Sequence, residues 1–104
     1  MQEKVRNFNK IKNCHLKPMP VYARLLDIQS ELGELSKEYL KHSKYGTKDF
    51  ILENDFKMEY GDVLYSLLSL ADELQIDTNE CLNLVITKYQ DRIKNLGTMG
   101  SKKD

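Results

Sequence analysis

Tryptophan is absent from this chain, and cysteine, proline and glycine are scarce, at two, two and five residues among 104. Net charge is missing as well, because 16 Lys plus Arg balance 16 Asp plus Glu. Each shortage excludes something. Without a basic excess there is no field to hold nucleic acid by its phosphates and no charge bias toward a membrane surface. Cys14 and Cys81 lie outside any CxxC pattern, so they read as reduced thiols of a cytoplasmic protein. No apolar run approaches the roughly 20 residues of a membrane span. The opening "MQEKVRNFNK" lacks the apolar stretch of a secretory signal.

What is present leans helical: 40% apolar and 31% charged residues, with no strand-like alternation. The length suits one domain with a modest core. "HLKPMP" is an extended entry, since each proline disfavours helix in the residue before it. From about Val21 to Ser43, Leu25, Ile28, Leu32, Leu35 and Tyr39 recur at helical spacing. Gly46 in "KYGTKD" supplies the break. A second helix runs from about Glu53 to Gln75 on Phe56, Tyr60, Val63, Leu64, Leu67, Ala71 and Leu74. In "IDTNE", Asp77 and Glu80 have capping-box spacing. A third helix follows to about Leu96 on Leu82, Val85, Ile86, Tyr89 and Ile93. Val5, Phe8 and Ile11 allow a short N-terminal helix. The expected architecture is an all-α antiparallel helical bundle over residues 1–96 with a frayed tail at 97–104. A hairpin plus one helix leaves apolar surface uncovered, so a homodimer or homotetramer is expected to complete a four-helix-type core.

Acids on a helix are ordinarily its solvated face. Here their angular position argues otherwise. At about 100° per residue, with Glu31 at zero, Leu35, Ile28, Leu32 and Leu25 span roughly 40° to 120°, while Glu34 and Glu38 fall near −60° and −20°. With Glu59 at zero, Val63, Phe56, Leu67 and Tyr60 occupy roughly 40° to 100°, and Asp62 again falls near −60°. Both helices carry carboxylates along the same edge of the apolar stripe. A short connection makes the helices antiparallel, and antiparallel helices present the same edge on the same side. The two pairs also stand about equally far from Gly46, roughly 20 Å along each helix at 1.5 Å per residue. Glu31, Glu34, Glu59 and Asp62 are therefore expected to converge. Converging carboxylates repel unless a cation neutralises them. A set made only of oxygens suits Mg2+ or Mn2+ and argues against Zn2+.

On the third helix, Lys88 and Arg92 border the aliphatic stripe, at about the same distance from their turn as Asp62. They would either hold the far end of a polyphosphate or form surface salt bridges. Gly33 and Gly61 interrupt two helix interiors at a cost of about 1 kcal/mol each. They fall roughly opposite Glu31 and Glu59, where a missing side chain suits close approach of another helix, including one from a second subunit.

These residues resemble the MazG-like nucleotide pyrophosphohydrolase family of all-α NTP pyrophosphatases, whose signature is ExxE, a spacer, then ExxD. "ELGE" supplies Glu31 and Glu34, and "EYGD" supplies Glu59 and Asp62. "ARLLDIQSELGELSKE", "MEYGDVLYSLLSLADELQID" and "KYQDR" extend the likeness over Pro18 to Arg92. The resemblance implies that the four acids bind Mg2+ and that the metal holds a nucleoside triphosphate. Water would then attack at the α–β linkage and release pyrophosphate and a nucleoside monophosphate, in a nucleotide-pool house-cleaning role. Two features depart from the family. Ser30 stands where many members have another Glu, which leaves Glu38 as the candidate water-activating base. The aromatic that stacks on the nucleobase has no clear counterpart. Phe8 and His15 are the substitutes, against core packing for Phe8 and a solvent-facing loop for His15. A phosphoribosyl-ATP pyrophosphohydrolase and a non-catalytic helical interaction module are the alternatives.

Overall fold

The computed structural model describes residues 1–98 and residue 100; the rest of the expected tail, 99 and 101–104, lies outside the described residues. Among the described residues, four helices occur in the order α1 (Gln2–Asn13), α2 (Val21–His42), α3 (Asn54–Glu73) and α4 (Thr78–Leu96). No strand occurs among the described residues. The three long helices fall where the hydrophobic period puts them, and the bundle is all-α.

The ends follow from local chemistry. Pro20, extended at φ −65° and ψ 155°, caps α2. Between α2 and α3 the chain reverses through three consecutive left-handed residues, Lys44, Tyr45 and Gly46, at φ 47°, 58° and 82°. Ser43 locks this reversal from within. It is 1% exposed, its hydroxyl donates to the Tyr39 carbonyl, and its Oγ accepts from the Gly46 N–H at 3.1 Å. Phe50 returns over the end of the hairpin, stacked on Tyr39 at 4.7 Å and edge-on to Phe56 at 5.0 Å. Asp77 caps α4, with Oδ1 accepting from the N–H groups of Asn79 and Glu80 at 2.9 and 3.1 Å. Gly97, at φ 69°, closes α4 in the left-handed conformation, its N–H donating to the Ile93 carbonyl.

Packing departs from the expected arrangement in one respect. The pairs that lie along one another are α2 with α3 and α1 with α3. The N-terminal helix, not α4, is the third member of the packed layer. Its seam is mainly polar: of the Val5–Phe8–Ile11 stripe, Val5 is half-buried and Phe8 meets the Tyr65 ring edge-on, while Phe8 and Ile11 remain 53% and 64% exposed. Gln2, Arg6, Asn9 and Lys12 recur at helical spacing along α1, the last three toward α3 and Gln2 toward the start of α4. Gln2 Oε1 accepts from the Thr78 N–H at 3.0 Å, and Arg6 Nε meets Asp72 Oδ1 at 2.6 Å. Asn9, buried, donates to Ser69 Oγ at 3.1 Å and accepts from the Tyr65 hydroxyl at 2.6 Å. Lys12 Nζ donates to that same hydroxyl. Arg24 of α2 lies beneath, 3% exposed, between Glu73 at 3.4 Å and Asp27 at 3.6 Å and over the Tyr65 ring. Buried charge of this kind is tolerated because it is paired.

The apolar core is small: Val63, Leu68 and Ala71 are its buried members. No residue of α4 is buried, and Leu82, Leu84, Ile86, Ile93 and Leu96 stand exposed. The radius of gyration is 17.4 Å, against about 13 Å for a compact chain of this length. The helix-interior glycines do not serve close packing within the chain, since a Cβ at Gly33 or Gly61 would meet nothing within 4 Å.

Candidate functional site

The register of the α2–α3 hairpin is symmetric about residues 46 and 47. Glu31 faces Asp62, Glu38 faces Asp55, and Asp27 faces Ser66. Turn position sets this pairing. Because side chains three and four apart share a helix face, a seam of carboxylates follows from it.

At the middle of the seam, Glu31, Glu59 and Asp62 bring one carboxylate oxygen each within 4.8 Å of the others. Glu31 and Glu59 are half-buried and Asp62 is exposed. The Glu31 carboxyl is pushed above its ordinary value by burial first, then by the charges of Asp62, Asp27, Glu59 and Glu34. Glu59 is raised likewise, by burial and then by Asp62, Glu34, Glu38 and Asp55. The mutual repulsion expected of converging acids is therefore present. Glu34 stands at the rim: its charge bears on both raised carboxyls, while its own Oε1 pairs with Lys37 at 3.6 Å.

Asp27 is a further member that the ExxE spacing does not name. It accepts from the Ser66 hydroxyl at 3.0 Å, is held by Arg24, and adds charge to Glu31. Its position four residues before Glu31 is the signal that would have found it. Glu38, the candidate base, lies one turn toward the hairpin end, where Oε2 is 3.2 Å from His42 Nε2. His42, four residues after Glu38 on the same face, is a neighbour that the helical spacing signals but the ExxE pattern does not contain.

Lys88 and Arg92 are not brought to the cup. They sit on α4, which does not pack along the hairpin, and Lys88 Nζ lies over the ring of Tyr89 beside it at 5.1 Å. The expectation of equal height assumed that α4 folds back beside α3. Instead α1 holds the face of α3 through its polar seam. Phe8 packs edge-on against Tyr65 at 5.8 Å, a packing contact, and His15 is exposed after the end of α1.

An all-helical chain with a half-buried carboxylate cup between antiparallel helices is thus the class that fold and site define. No family model matches it, and no solved structure matches it. It is 34% identical, over 96 residues covering 89% of this chain and 82% of the other, to the Bacillus subtilis (strain 168) protein described as "Uncharacterized protein YpjD". The chain belongs to the same family as YpjD.

Proposed function

We propose that this protein is a divalent-cation-dependent nucleotide pyrophosphohydrolase of the MazG-like kind, cleaving a nucleoside triphosphate to the monophosphate and pyrophosphate. The observation that carries the reading is the meeting of Glu31, Glu59 and Asp62 within 4.8 Å, with Glu34 at the rim. The donor set fits Mg2+: it is oxygen only and partly open to solvent, with Asp62 exposed, and Mg2+ on few carboxylates keeps waters and takes substrate phosphates as its other ligands. Mn2+ is the natural substitute. A cation held there supplies neutralisation of phosphate oxygens and acidification of the attacking water.

The chain's own part is placement. Glu31 and Asp62 fix the two sides of the cup from opposite helices, and Arg24, through Asp27 and Ser66, ties those helices together one turn away. Water oxygen then bonds to the α-phosphorus, the bond from that phosphorus to the bridging oxygen breaks, pyrophosphate leaves with that oxygen, and the proton lost by the water passes to solvent. Phosphoryl transfer asks for positioning and charge more than for covalent chemistry, so two helices suffice. Glu38 is left out of this step because its Oε2 faces His42.

The functional unit we propose is a homodimer. The chain exposes 8397 Å², whereas a monomer of this mass exposes about 6,000 Å². A surplus of roughly 2,000 Å² per chain is the scale of obligate interfaces. Gly61 and the apolar face of α4 are suited to such a contact. The exposed face of α4 also favours the second reading, an interaction module without catalysis. One assay separates them: pyrophosphate release from a panel of canonical and modified triphosphates with Mg2+. Release from at least one supports the enzyme; none, with Mg2+ leaving the melting temperature unchanged, supports the module.

A further inference from the structure

The end of the seam nearest the turn holds a second group of donors that the proposed hydrolysis leaves unused. Glu38 and His42 are one helical turn apart on α2, and Asp55 faces them from the first turn of α3. One ligand atom from each lies within 4.8 Å of the others. His42 Nε2 is 3.0 Å from Asp55 Oδ1 and 3.2 Å from Glu38 Oε2. Two protein donors bound tetrahedrally to one Zn2+-like ion stand about 3.3 Å apart. The spacing is already that of neighbouring ligands.

Three further observations point to a cation. The His42 side chain is only 9% exposed and lies edge-on to Phe50, so the ring is held. Its other nitrogen, Nδ1, lies 3.6 Å from Glu53 Oε2, longer than a hydrogen bond but on the side from which a carboxylate closing in would orient a metal-binding imidazole. And Glu38 Oε2 is shut off from solvent without a hydrogen bond. A single N–H on Nε2 serves Asp55 and leaves that oxygen without a donor, a costly state for a carboxylate. An ion between the three would satisfy both oxygens and the imidazole lone pair together.

We propose that Glu38, His42 and Asp55 form a cation site of their own, with Glu53 as the positioning residue behind the imidazole. The nitrogen donor makes it selective for a borderline transition ion of the Zn2+ class over Mg2+, in contrast to the all-oxygen cup. The site stands whether or not the cup hydrolyses nucleotides.

The test uses the full chain, Zn2+ and Mg2+ as probes, calorimetry, and long-range 1H–15N spectra of the histidine rings, with His15 as internal control. Zn2+ is expected to move the His42 ring nitrogens at one equivalent, while Mg2+ does not. His42→Gln should lose that equivalent, and Glu53→Gln should weaken it about 10-fold or more. Asp55→Asn, which keeps the ring for observation, should also weaken it, with helicity checked by circular dichroism in each variant. Asp62→Asn should leave it intact, so failure of the cup and failure of this site are told apart. His42 signals unmoved at saturating Zn2+, Zn2+ held entirely by Cys14 and His15, or an equal response to Mg2+ would each overturn the proposal.

Discussion

The α2–α3 hairpin and α4 are built from similar sequence and meet opposite fates. Both carry aliphatic residues at helical spacing and charges along the stripe edge. The hairpin closes on itself: its turn is locked by Ser43 and Phe50, and its side chains pair symmetrically about that turn. The α4 helix is capped at both ends yet buries nothing. The difference teaches that amphipathicity specifies a helix and a sticky face without specifying the partner. Where a short connection dictates the partner, charged groups are forced together and chemistry becomes available. Where it does not, an apolar face is left uncovered within the chain.

The largest expected effect lies in the cup. Glu59→Ala or Asp62→Ala should lower pyrophosphate release by roughly 100-fold or more, since even outer-shell partners of metal ligands cost about 10–100-fold. Lys88→Ala should change it little in a monomer; a loss comparable to Glu59→Ala would mean that α4 reaches a cup after all, in this chain or a neighbour. Denaturation next compares the two regions directly. Leu68→Ala, in the buried core, should cost about 2–5 kcal/mol. Ile86→Ala, on exposed α4, should cost about 0.5 kcal/mol or less at concentrations that keep the chain monomeric. Equal costs would break the contrast.

A pH titration sharpens it further. Glu31 and Glu59 have folded-state values above their ordinary ones, so the folded state binds more protons in the window between the two. Stability of the cation-free protein should therefore rise as pH falls through that window. Asp55 acts oppositely. Burial alone would raise it, but the His42 charge, its own backbone N–H and Lys41 together hold it below its ordinary value. Its contribution is kept until the pH drops through that lowered value. Adding Mg2+ should flatten the first trend by replacing protons in the cup, measured as melting temperature against pH; an unflattened trend would count against cation binding there. A modest effect belongs to the α4 cap, where Asp77→Ala should cost about 1 kcal/mol, read as lost helicity with activity preserved.

Much of the hairpin was legible beforehand. The ends of α2 and α3, the reversal at Gly46 and the meeting of Glu31 with Asp62 follow from period, turn position and antiparallel geometry. Asp27 and His42 were missed because attention to ExxE spacing overlooks the next residue along the same face. Equal height along a helix says nothing about which way that helix points, so the expected place of Lys88 and Arg92 beside the cup does not follow from it, and α4 does not lie along the hairpin.

The sequence by itself determined the three long helices, the Asp77 cap of α4, and a hairpin register that lines acids up along one edge, since each depends on neighbours three or four residues away or on one turn. Only the tertiary structure decided that α1 rather than α4 lies against α3. That choice rests on Arg6, Asn9 and Lys12 finding partners on α3 that lie 66, 60 and 53 residues away, a match of polar groups that no periodicity encodes.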